Sequence, residues 1–237
     1  MFTGNAIAVE PPTSPNPSAL KGGGGPGRLV LTIKNVCITK CEGTVGKGVA
    51  KLVGAILKCH AGRATGKYAD DSAEDACEGT GITKFETTKT TGCGACTNLA
   101  SIAGAVEGLV DGNNNKVYCT STGTPFGGDD AGNIPADAPK GPITKCEDTV
   151  GKGVGKLVTG IIKCHAGRAT GKYADDSAED ACEATAITKF EKTKTTTCDP
   201  CTNLPSLASF VESTTDGANG LVYCASPSGA FLSNPSF

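Results

Sequence analysis

The sequence predicts a mainly α protein: two tandem disulfide-stapled three-helix domains with short β segments and an extended N-terminal arm. Three observations predict it. Sliding the 237-residue chain by 105 positions superimposes Ile38–Cys119 on Ile143–Cys224 without a gap, with 61 identities over 82 positions. Such a repeat fixes the domain plan before any local reading. Six cysteines fall in each copy, twelve of the thirteen in the chain. Finally, apolar residues in each copy recur at helical spacing, with lysines on the opposite face.

Composition narrows the classes further. The formal charge is −2 and the pI about 5.7, so the basic footprint of a nucleic-acid binder is missing. The longest apolar run, Leu52–Leu57, is far shorter than the roughly 20 residues that span a bilayer. There is no tryptophan and aromatics make up 5% of the chain, so a single large aromatic core is not expected. Dense cysteine points to an oxidising compartment, outside the cell or at its surface. Met1–Ala8 lacks the basic start and apolar stretch of a signal peptide, although Ala6-Ile7-Ala8 resembles a cleavage box.

Residues 1–37 form the arm. Pro11–Gly27 is a proline-, serine- and glycine-rich spacer, and Arg28–Val36 alternates with the period of two that predicts a strand. The first repeat, 38–119, opens with an amphipathic helix over Cys41–Gly66. Val45, Val49, Leu52, Val53 and Ile56 share one face; Lys40, Lys47, Lys51 and Lys58 line the other. A left-handed glycine at Gly62 or Gly66 ends it. Asp70, Asp71 and Ser72 offer N-caps for a second helix, with Glu74 and Asp75 in its acidic first turn. That helix runs to about Lys89 and buries Ala73, Cys77, Gly81 and Phe85. A third starts near Thr97 or Asn98, with Leu99, Ile102, Ala103 and Val106 on one side; its copy carries Pro205 in the first turn. Each repeat closes on a strand-like Val-Tyr-Cys. A glycine- and proline-rich linker, 120–142, precedes the second repeat, 143–224, and a tail covers 225–237.

So small a core needs staples. In an antiparallel hairpin, facing positions have a constant sum. Cys59 with Cys77 and Cys41 with Cys96 share nearly the same sum, centred on Tyr68, which leaves Cys93 with Cys119. The copy gives Cys164–Cys182, Cys146–Cys201 and Cys198–Cys224. Exchanging Cys93 and Cys96 is the near alternative. Cys37 is odd, a candidate for a bridge to another chain.

Chemistry is sparse. Cys59-His60 and Cys164-His165 suggest haem attachment, but Ile56 and Ile161 stand where C-x-x-C-H needs its first cysteine. His60 and His165 remain candidate metal ligands; a packed core histidine is the simpler reading, and no cofactor is expected. The C-x-x-C pairs Cys93–Cys96 and Cys198–Cys201 lack a βαβ setting and read as staples. Asp70, Asp71, Glu74, Asp75 and Glu78 lack the alternation of a calcium loop and read as helix caps. No nucleophile elbow, phosphate loop or zinc-protease motif occurs, so no enzyme is expected. One feature resists these readings. Lys58–Glu78 and Lys163–Glu183 are identical over 21 residues, while the other 61 aligned positions hold all 21 differences. A shared demand on the hairpin tip, with Arg63, Lys67 and Tyr68 exposed, would account for that.

The run Lys58-Cys59-His60-Ala61 and the acidic-Ala-Cys segment Glu74-Asp75-Ala76-Cys77 resemble secreted, cysteine-rich tandem-repeat proteins of bacteria. The resemblance covers both repeats, not the arm, and implies no activity. The resulting expectation is an extracellular structural protein that self-assembles into a filament or surface layer through its arm. A small haem or metal redox carrier and a surface module for glycan or protein are the alternatives. A homo-oligomer is expected, without nucleic acid or a membrane span. No Asn-x-Ser/Thr acceptor for glycan occurs.

Overall fold

A computed structural model describes residues 27–225, with side chains from Cys37 onward. Most of the arm and nearly all of the tail lie outside these residues. Helix α1 runs Gly27–Ala64, followed by α2 (Asp71–Glu86) and α3 (Leu99–Asp111). A 3-10 turn at Asn114–Lys116 leads to a hairpin of β1 (Gly123–Gly127) and β2 (Asp130–Pro135). The second repeat supplies α4 (Pro142–Ala169), α5 (Asp176–Glu191), α6 (Leu204–Gly217) and the short α7 (Asn219–Val222). The protein is thus mainly helical, with one small antiparallel sheet.

The caps follow the sequence. Asp70 accepts a hydrogen bond from the Ala73 amide at 2.9 Å, and Asn98 accepts one from the Ser101 amide at 3.1 Å. Both satisfy amides that have no partner within the helix. Lys40, Lys47, Lys51 and Lys58 of α1 are exposed, and Val45, Leu52 and Ile56 are buried.

Two expectations are corrected. The alternating stretch Arg28–Val36 is helical, the opening of α1. A helix satisfies its amides within its own segment, whereas a strand needs an edge, and the described residues offer none there. The Val-Tyr-Cys segments are not strands either. Val117 and Tyr118 are consecutive and both buried, which a period-two strand with one wet face does not allow. The linker carries the β1–β2 hairpin, which folds back over the first repeat.

The two repeats are not separate beads. Helices α1 and α4 pack against each other at the centre, and one apolar core runs through both repeats. They cross where both are glycine: a Cβ on Gly155 would lie 3.7 Å from the Gly54 Cα. Each repeat's end lies on the other's long helix. The Tyr118 hydroxyl donates to Asp148 Oδ1 at 2.6 Å, and the Ala225 amide donates to Glu42 Oε1 at 2.8 Å.

The bridges explain the intimacy. Cys59–Cys77 and Cys164–Cys182 close the hairpins as their positions require. Cys41 of α1 and Cys146 of α4 pair with the first member of the C-x-x-C, giving Cys41–Cys93 and Cys146–Cys198 rather than pairs with Cys96 and Cys201. The remaining cysteines are exchanged between repeats, as Cys96–Cys224 and Cys119–Cys201. The expected Cys93–Cys119 and Cys198–Cys224 bridges do not form. Hairpin geometry constrains residues within one repeat and carries nothing about a partner brought in by the α1–α4 crossing. Cys37 is exposed and unpaired.

Candidate metal centres

His60 lies in the last turns of α1, next to the Cys59–Cys77 bridge. That bridge fixes α2 against α1, so α2 presents the residues flanking Cys77. The face it buries is Glu74, Glu78 and Phe85; of the expected face Phe85 is buried, while Ala73, Cys77 and Gly81 are only half-buried. At about 100° per residue Glu74 and Glu78 flank Phe85 on one stripe, so the buried stripe is centred on Phe85 rather than spread towards Ala73. Glu74 and Glu78 are therefore not solvated caps but buried carboxylates, 0% and 4% exposed.

They converge on the imidazole. His60 Nε2 lies 3.1 Å from Glu78 Oε1, 3.3 Å from Asp111 Oδ1 at the end of α3, and 3.0 Å from Asp130 Oδ1 on β2. Glu74 Oε1 is 4.0 Å away. No side chain in this group is more than 5% exposed. Phe126 of the hairpin sets its ring edge-on to the imidazole, with centroids 6.1 Å apart. Where Gly127 and Gly128 turn the hairpin, a side chain on Gly128 would strike Asp71, so the close approach that seats Asp130 depends on glycine.

The second repeat reproduces most of this. His165 Nε2 lies 3.0 Å from Glu183 Oε1, 3.0 Å from Asp216 Oδ1 and 4.0 Å from Glu179 Oε1. No hairpin among the described residues covers it, and the Asp216 side chain is 18% exposed. Arg168 stands beside this group, with Nε 4.0 Å from Glu179 Oε2 and an ion pair to Asp176.

The electrostatics of the first group do not close by themselves. One neutral imidazole has one N–H, and even a charged one has a single donor at Nε2. Three carboxylate oxygens crowd that atom, yet Nε2, Glu78 Oε1, Asp111 Oδ1 and Asp130 Oδ1 make no well-aligned hydrogen bond, nor does either Glu74 oxygen. Buried carboxylates without partners are costly. Burial opposes charge on His60, but the Asp111, Asp130 and Glu78 carboxylates outweigh it and push its pKa up to about 11. His165 rises to about 9, against burial, through Asp216 and Glu183. Burial and then Asp130 push the Glu74 carboxyl up; burial raises Glu78 to about 7. Protons are thus held where a cation would balance the charge.

Two triads can each meet one ion: His60 with Glu78 and Asp111, and His60 with Glu74 and Asp130, the ligand atoms of each lying within 4.8 Å of one another. Donors about 2.0–2.2 Å from a divalent ion are roughly 3.0–3.4 Å apart in octahedral or tetrahedral arrangement, the spacing found around His60 Nε2. One imidazole with several carboxylates suits ions of the size of Mn²⁺ or Zn²⁺. The larger Ca²⁺ prefers oxygen alone at longer range. Cys59 and Cys164 are bridged and offer no thiolate, so the Cys-His pairs do not act together as ligands or haem anchors.

Histidines 60 and 165 were visible in the sequence; Glu74 and Glu78 were visible only as calcium ligands and read as caps, and Asp111, Asp130 and Asp216 did not stand out. The signal was present: facing positions in this hairpin add to about 136, which sets His60 opposite position 76, with Glu74 and Glu78 one helical turn apart on either side. The 21-residue identity now has a content. It carries the histidine, two carboxylates and the bridge of each centre, and Gly62, where a Cβ would overlap the Tyr68 ring that packs on it. Lys67 is exposed, while Arg63 and Tyr68 are half-buried. Asp111 and Asp216 match across the repeats; Asp130 has no counterpart, since its equivalent is Pro235.

Fold and site together define a disulfide-stapled helical repeat protein with a buried His–carboxylate centre in each repeat. No protein-family model, curated protein or solved structure matches the chain.

Proposed function

We propose that the protein is a non-enzymatic, extracellular binder of divalent cations, with one centre per repeat. The observation that carries this is the convergence of four buried carboxylates on one imidazole nitrogen without hydrogen bonds between them. Six disulfides support the extracellular setting. No helix among the described residues is long and apolar enough to cross a membrane. Titrating chelator-treated protein with Mn²⁺ and Zn²⁺ in a calorimeter tests it. Saturable binding of two ions per chain is expected, and failure to bind either metal overturns the reading.

A second reading is assembly of copies outside the cell, favoured by the exposed, unpaired thiol of Cys37. Joining by strand addition loses its support, because Arg28–Val36 is helical and the Val-Tyr-Cys segments offer no edge. A disulfide between Cys37 residues of two chains is the remaining route. Non-reducing mass analysis of the native protein, with Cys37→Ser as control, decides it.

A further inference from the structure

We infer that the two centres are chemically unlike: the first is a closed site that retains its cation, and the second keeps a coordination position open to solvent and exogenous ligands. This rests on the cation-binding reading above. In the first centre the linker hairpin supplies a fourth carboxylate, Asp130, whose side chain is 3% exposed, and Phe126 seals the imidazole. The second centre has three carboxylates, and Asp216 is open to water at 18% exposure. No Asp or Glu occurs in residues 217–237, so this stretch supplies no side-chain carboxylate in the place of Asp130. Charge points the same way. Arg168 lies beside Glu179 and offsets part of the negative charge of the second centre. Its counterpart Arg63 has an unpartnered Nε, and no Arg or Lys ion pair reaches the first centre among the described residues. A cation at the first centre gains more charge and loses its path to solvent. One at the second has fewer protein ligands and completes its shell with water or an anionic oxygen ligand.

The test uses the full chain loaded with Mn²⁺. Ion release into excess EDTA is followed by electron paramagnetic resonance, and inner-sphere water by proton relaxation. Wild type should release its two ions in two phases at least tenfold apart, with the relaxation enhancement falling in the fast one. Asp216→Asn should remove or accelerate the fast phase alone. Asp130→Asn should convert the slow phase into a fast one with new water relaxation. The disulfides hold the fold in both variants, and circular dichroism checks it. Two ions released at one rate, or an Asp130→Asn variant that retains its slow phase, overturns the inequivalence while leaving cation binding intact. Binding of no Mn²⁺ overturns both.

Discussion

At the scale of single residues, the molecule spends its buried polar groups in two ways. Half of those among the described residues are gathered in the His–carboxylate centres. Glu78→Gln should therefore lower cation affinity of the first centre at least about tenfold and leave the second unchanged, read as one lost site in the titration. The other kind is Glu147 in α4, which is 0% exposed with both oxygens unpartnered. Its counterpart Glu42 holds the Ala225 amide. Burial, then the charges of Asp199, Asp137 and Asp148, push the Glu147 carboxyl up to about 8. A raised acid stabilises the fold below its unfolded pKa of about 4.3, and that contribution is lost as pH rises through 8. Glu147→Gln should match wild type in melting temperature near pH 4 and exceed it at pH 9. Equal melting temperatures at pH 9 would contradict the account.

At the scale of elements, the linker does more than join. Gly141 precedes α4 with no side-chain cap of its own. Asp137 reaches in from the linker, accepting from the Ile143 amide at 2.7 Å and from the Thr144 amide and hydroxyl at 3.1 and 2.8 Å. Burial opposes the charge, but these hydrogen bonds prevail and hold its carboxyl below the usual range. A depressed acid stabilises above its unfolded pKa of about 3.9, and the gain is lost as pH falls through the folded value. Asp137→Ala should cost about 1 kcal/mol at neutral pH by denaturant titration, shrinking towards pH 2. The hairpin tip of α1 and α2 is equally specific. Gly62→Ala and Gly167→Ala should each destabilise the fold, because the Tyr68 and Tyr173 rings occupy the space of a Cβ. Wild-type melting temperatures in both variants would refute that packing argument.

At the scale of the whole molecule, the exchanged bridges make two repeats into one unit. Peptide mapping without reduction should recover Cys96 linked to Cys224 and Cys119 linked to Cys201. Recovery of a Cys96–Cys119 peptide would restore the picture of independent beads. Replacing Cys96 and Cys224 together by serine should cost about 2–5 kcal/mol, since a bridge across so long a loop constrains the unfolded chain strongly.

The sequence by itself determined what is local. Lysine and valine spacing set the face of α1, Asp70 and Asn98 set the starts of α2 and α3, and the hairpin sum set Cys59–Cys77. These depend on contacts within a few turns or across one tight hairpin, where helical periodicity is a reliable ruler. Only the tertiary structure decided the rest. The phase of α2, which turns Glu74 and Glu78 inward, depends on what α3 and the hairpin bring to face them. Asp130 joins His60 from 70 positions away through a segment whose composition reads as a loose linker. The exchange of Cys96 and Cys119 for partners in the other repeat follows from the glycine crossing of α1 and α4. Identical repeats look alike whether they stand apart or interlock. The choice between the two rests on burying both apolar faces in one core, a balance over the whole chain that no single repeat records.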